Sequence, residues 1–131
     1  MISIIAKWTI LQGCRDQALA SLALLARQVE EQEPFVLMYT IHTPDMSAAS
    51  FPKPQPDEVD FFSVFTDYAA FQQHLNGPVF QAWADKYKQF FLTNNGGLFV
   101  ISEFLQREAG FIRQQMLTPA AAPRSAAVPT C

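Results

Sequence analysis

The chain has 131 residues, half of them hydrophobic and 16% charged, with a formal net charge of −3. That length suits one domain whose core needs neither disulfide nor metal, and the lack of a Lys/Arg cluster excludes nucleic acid or an anionic membrane surface as partner. A charge fraction below the usual quarter, together with twelve Phe, points instead to apolar surface that ends in an interface or a pocket.

Ile2–Thr9 is β-branched and apolar and reads as strand one, ended by Gln12-Gly13. Leu11-Gln12-Gly13-Cys14 has a faint look of a lipoprotein cleavage site. Lys7 interrupts the preceding apolar run, so the strand is the better reading. No segment has the length of apolar sequence needed to span a bilayer. From Arg15 to Gln32, residues Ala18, Leu19, Leu22, Leu25, Ala26 and Val29 fall at helical spacing. Asp16 suits the first turn, and Glu33-Pro34 closes the helix because proline drives the preceding residue out of the α region. Glu30, Glu31 and Glu33 read as a solvated helix end.

Phe35–His42 is strand two. Residues 43–57 hold Pro44, Pro52, Pro54 and Pro56 and form a connection long enough to be expected as a lid or binding loop. Val59–Phe65 is strand three, and Asp67 is placed to cap a helix over 68–76. Gly77-Pro78 interrupts that helix, which restarts from 78 to about 91. Asn94-Asn95-Gly96-Gly97 marks a turn before strand four, Leu98–Leu105. A weak helical pattern covers 107–117, followed by an Ala/Pro/Ser tail too poor in apolar residues to order itself. The expected organisation is a domain over 1–106 and a helix plus Ala/Pro-rich tail over 107–131.

Strand-helix-strand-strand-helix-strand is the ferredoxin-like α+β arrangement, an antiparallel sheet with both helices on one face. The other face should then alternate to polar, yet strands two to four are apolar on both sides: Phe61 beside Phe62, Phe99 beside Leu98 and Val100. One chain has helix for one side only, so a second copy is expected against the open face as a two-fold homodimer. The alternative is that the 107–131 extension folds over it.

No high-specificity catalytic or phosphate-binding motif is present, and no metal or other cofactor is expected. The histidines are His42 and His74 and the cysteines Cys14 and Cys131, which makes a Cys/His zinc site improbable. The cysteines form no CxxC pair and no disulfide framework, so a reducing cytoplasm is the expected setting. His74 stands at the edge of the second helical stripe, facing the crevice between helix and sheet, where it is placed to move a proton near neutral pH. The alternative is a structural histidine bonded to a loop or a backbone carbonyl. Tyr39 and His42 fall on opposite faces of strand two, and Tyr39 is a candidate donor to a phenol or quinone oxygen, or else a plain core tyrosine. Trp8, Phe62, Phe71, Phe80 and Trp83 are candidate aromatic walls of a substrate pocket, or otherwise core.

Glu33-Pro34-Phe35-Val36-Leu37-Met38-Tyr39 resembles the "EPG-x-L-x-Y" entry to strand two of antibiotic-biosynthesis monooxygenase domains. Asp67-Tyr68-Ala69-Ala70-Phe71-Gln72-Gln73-His74-Leu75-Asn76-Gly77-Pro78 resembles their "D-x-x-A-F-x-x-H-x-x-S/G-P" helix start. The likeness covers roughly residues 1–105. Phe35 stands where the family usually has Gly, and Ser63 in Ser63-Val64-Phe65 where it commonly has Glu. The resemblance implies a homodimeric α+β barrel. It also implies a cofactor-independent monooxygenase that joins molecular oxygen to a small aromatic quinol or phenol, with His74 and Tyr39 as catalytic groups. A non-catalytic dimeric ligand-binding protein and a metal-free isomerase are the alternatives.

Overall fold

The computed structural model describes residues 1–117 and Cys131. The elements run β1 (Ile2–Thr9), α1 (Arg15–Gln32), β2 (Val36–His42), β3 (Glu58–Phe65), α2 (Tyr68–Asn76) and α3 (Pro78–Tyr87). A 3₁₀ turn (Lys88–Phe90), β4 (Thr93–Asn94), β5 (Gly97–Leu98), β6 (Ile101–Leu105) and a last 3₁₀ turn (Gln114–Leu117) follow. The main sheet has the order β2-β3-β1-β6, with every neighbouring pair antiparallel. This is the ferredoxin-like α+β arrangement expected from the sequence, with α1 and the α2/α3 pair as its two crossovers.

Local chemistry explains the element ends. Asp67 accepts the Ala70 N–H at 2.8 Å and caps α2. A side chain at Gly77 would place a Cβ 2.6 Å from the Gln73 carbonyl oxygen, so only glycine allows α2 to stop there. Pro78 then opens α3 at a position where a missing N–H costs nothing. Trp83 donates its indole N–H to the Ser21 carbonyl at 2.7 Å and ties α3 to α1.

Two clusters fill the space between sheet and helices. The larger contains Trp8, Leu22, Leu25, Val59, Trp83 and Phe91; the smaller contains Ile4, Phe65 and Ala70. The opposite sheet face has no cover among the described residues. Phe62, Ile101 and Leu105 are 42%, 54% and 43% exposed there. Lys7 on that face is held by Asp60 at 2.6 Å and Glu58 at 3.1 Å, contacts that raise its pKa, the Asp60 hydrogen bond most.

Several expectations are corrected. The last strand begins at Ile101, not Leu98. Asn95 and Gly96 both have positive φ (53° and 81°) and close a tight β4–β5 hairpin, which takes Leu98 out of the main sheet. Residues 107–117 contain no α-helix. Gly110 sits at φ 120°, and Phe111, Ile112 and Met116 are largely exposed and bury little apolar surface, so only the 3₁₀ turn forms. This segment leaves the open sheet face uncovered, and the Ala/Pro-rich tail falls outside the described residues apart from Cys131. Cys14 and Cys131 form a disulfide, against the expected absence of one. Two distant cysteines carry no spacing signal, and only the fold brings their Cα atoms to 5.2 Å.

Candidate functional site

A cavity of about 620 Å³ lies between the sheet and the α2/α3 pair, the size of a small-molecule site. It opens where small side chains interrupt the inward face of three neighbouring strands: Ala6 on β1, Ser63 on β3 and Ser102 on β6. Its walls are mostly aromatic. Trp8, Phe61 and Phe65 rise from the sheet, Phe71 and Phe80 come from the helices, and Phe104 closes the β6 side. Polar groups stand around its edge: Asn76, Gln81, Asp85 and Lys88. The β4–β5 hairpin adds Gly96, Gly97 and Leu98, and Lys88 Nζ donates to the Gly96 carbonyl at 3.0 Å.

His74 reaches this cavity from the last turn of α2 and is only 3% exposed. Its Nδ1 lies 2.6 Å from Oε1 of Glu33, itself 4% exposed. An ionised carboxylate has no proton to give, so Nδ1–H donates, and in the neutral imidazole the lone pair then sits on Nε2. Nε2 has no hydrogen-bond partner among the described residues. The second oxygen of Glu33 lies beside Gly77, at the N-terminus of α3, where the helix dipole favours an anion. The imidazole is packed edge-on and tilted among rings, with centroids 5.4 Å from Tyr39, 5.5 Å from Phe65 and 5.4 Å from Phe80.

Tyr39 lines the same cavity, and its hydroxyl has no hydrogen-bond partner among the described residues. Burial pushes its pKa well above the ordinary value for tyrosine, and the Glu33 carboxylate adds to the shift. Tyr39 is therefore a proton-bearing donor at neutral pH and no base.

The expected residues divide. His74, Tyr39, Trp8, Phe71 and Phe80 meet in the cavity. Phe62 does not: it follows Phe61 on β3, points to the open face and stacks 4.8 Å from His42. Trp83 lies beneath Trp8 in the core with its N–H already bonded to α1, and it does not line the cavity. No residue of the 43–57 connection lines the cavity either, so it is no lid over this site. Arg15 bonds the Pro56 carbonyl at 3.0 Å, which holds that loop near the start of α1.

Glu33 was expected in solvent and is buried. A signal for it exists: Val29 is on the buried stripe of α1, and Glu33 follows it by one helical step of four, whereas Glu30 and Glu31 fall off the stripe. Among the described residues, no three His, Cys, Asp or Glu side chains group as a metal site.

The antibiotic biosynthesis monooxygenase family model matches residues 1–86. The chain belongs to the antibiotic biosynthesis monooxygenase family. Solved structures share the family's fold with it. One, an antibiotic biosynthesis monooxygenase, is 17% identical with a TM-score of 0.65, covering 83% of this chain and all of its own (100%). PA3566 from Pseudomonas aeruginosa is 20% identical with a TM-score of 0.62, covering 82% of this chain and 94% of its own. A conserved protein from Methanosarcina mazei is 10% identical with a TM-score of 0.63, covering 82% and 92%. No curated protein sequence matches the chain. The matched antibiotic biosynthesis monooxygenase region holds Glu33, Tyr39, Ser63 and His74, while the β4–β5 hairpin and β6 lie beyond it.

Proposed function

We propose that this protein is a cofactor-independent monooxygenase of a small aromatic substrate, a quinol or an electron-rich phenol. The observation that carries the reading is the His74–Glu33 pair. It presents an unpartnered imidazole nitrogen to an aromatic cavity and is backed by a buried carboxylate. Nε2 takes the phenolic proton, and the resulting imidazolium is held by Glu33. The phenolate is its own reductant: electrons pass to molecular oxygen and a carbon–oxygen bond forms as a hydroperoxide on the ring carbon. Loss of water from that hydroperoxide leaves one oxygen atom on carbon as a carbonyl and sends the other out as water, so a phenol and O₂ become a quinone and H₂O, the two hydrogens of the water coming from the ring C–H and the phenolic O–H. Tyr39 donates a hydrogen bond to the substrate oxygen as charge builds on it. The aromatic walls exclude water from the anion.

The working form in this proposal is a homodimer joined through the open sheet face around Phe62, Ile101 and Leu105. The proposed compartment is the cytoplasm, where the Cys14–Cys131 bond would belong to an oxidised form of the protein. No helix among the described residues is long and apolar enough to cross a membrane.

Oxygen uptake with a panel of hydroquinones and phenols tests the reaction. Turnover that stops under nitrogen and falls at least a hundredfold in His74→Ala supports it. Tight binding without turnover would make the protein a ligand-binding one, and product formation without oxygen would make it an isomerase.

A further inference from the structure

We infer that Ser63 is a second oxygen-binding group in the cavity and makes the site select an aromatic ring carrying two oxygens over a ring carrying one. The inference rests on the aromatic-substrate reading above and narrows it.

Four polar or charged residues are buried among those described: Ser21, Glu33, Ser63 and His74. Three of them make at least one hydrogen bond within the protein. Ser21 Oγ donates to the Ala18 carbonyl at 2.7 Å, and Glu33 and His74 bond each other. Ser63 is 6% exposed, and its hydroxyl has no hydrogen-bond partner among the described residues. A hydroxyl taken from water and left unbonded is destabilising, so a buried one without a partner calls for a specific reason. Here the reason is visible in its placement. Among the described residues no side-chain oxygen or nitrogen is sealed from solvent without a partner, so the Ser63 hydroxyl opens onto the cavity it lines.

Its neighbours fix what can reach it. The inward positions of β3 are Val59, Phe61, Ser63 and Phe65, so Ser63 is the one polar group in that row. Packing alone would favour an apolar side chain there. Ser63 sits directly across from Tyr39 on β2 and from Ile4 on β1. The ring of His74 contacts both Tyr39 and Phe65, edge-on to the first and tilted to the second, and these two flank Ser63 on two sides, so the imidazole stands over the same part of the sheet. A flat ring placed against this floor meets His74 with one oxygen and has a hydroxyl donor and acceptor at Ser63 for another. A ring with a single oxygen leaves the Ser63 hydroxyl unbonded in an aromatic surrounding, which is the penalty that produces selectivity.

Binding is read without turnover, because Trp8 lines the cavity and its fluorescence reports occupancy. The probes are naphthol and a set of dihydroxynaphthalenes, titrated under nitrogen. In the natural protein at least one dihydroxynaphthalene is expected to bind about three- to tenfold tighter than naphthol. Ser63→Ala should erase that preference, chiefly by tightening naphthol as the unbonded hydroxyl is removed, while Ser63→Thr, which keeps the hydroxyl, should retain it. No preference in the natural protein, equal weakening of both ligands by Ser63→Ala, or no binding of either probe overturns the inference. The two readings fail separately. A two-oxygen preference that depends on Ser63, without oxygen uptake, removes the monooxygenase and keeps this subsite; oxygen uptake without the preference does the reverse.

Discussion

Glu33→Gln isolates the charge of the buried pair from its shape. Glutamine fills the same volume, and its carbonyl can still accept from His74 Nδ1, so the 2.6 Å contact and the ring orientation are retained. What disappears is the negative charge facing the imidazolium that forms when Nε2 takes the substrate proton. For charge centres about 4 Å apart and an effective dielectric constant of about 20, the attraction is about 4 kcal/mol. The cost of keeping a carboxylate buried offsets part of it, which leaves about 3 kcal/mol, the range of a hydrogen bond to a charged group. Oxygen uptake at saturating quinol should then fall about 150-fold. The loss should sit in kcat, with KM nearly unchanged, because the charge matters only after proton transfer. Steady-state oxygen-electrode kinetics on folded protein, checked by circular dichroism, reads both constants. A kcat within about threefold of the natural protein would refute the reasoning, since a carboxylate that merely fills space is replaced by glutamine without kinetic effect.

Tyr39 carries an alkaline signature. Its folded pKa is raised by burial and by Glu33, so the folded state holds a proton that the unfolded chain releases above about pH 10. Stability should therefore fall as pH rises past the unfolded value, and Tyr39→Phe should flatten that fall in thermal melts between about pH 9 and 11; an unchanged slope counts against the assignment. The Cys14–Cys131 bond spans a sequence separation of 117 residues, for which chain entropy predicts about 4–5 kcal/mol of stabilisation. Reduction should lower the thermal midpoint, and thiol titration of oxidised, denatured protein should find no free thiol; two thiols would refute the pairing. Phe62→Asp places a charge on the open sheet face and should convert a dimer to monomers by light scattering without emptying the cavity. A dimer that persists would move the proposed interface elsewhere.

Strand identity was legible because alternation and β-branching are local. Helix ends were legible because Asp67, Gly77 and Pro78 act on their own backbone. The assignment of inward and outward faces on β3 was also present in the sequence, since Phe61 and Phe62 cannot share a side. Reading Phe62 as a pocket wall chose the outward member of that pair. The β4–β5 hairpin was partly legible: Asn95-Gly96 announced a turn, but its effect on the main sheet depended on which strand Leu98 would pair with.

The sequence by itself determined the element order, the ferredoxin-like arrangement, the family and His74 as the residue to watch, because each depends on spacing along one segment. Only the tertiary structure decided that Glu33 meets His74 across 41 residues, that Ser63 is a buried hydroxyl without a partner, and that the cysteines lie within bonding reach. The first depends on how α2 crosses the end of α1, and all three on packing between segments far apart in the chain. Spacing along a segment sets which face a side chain takes, and only packing between segments sets what it finds there.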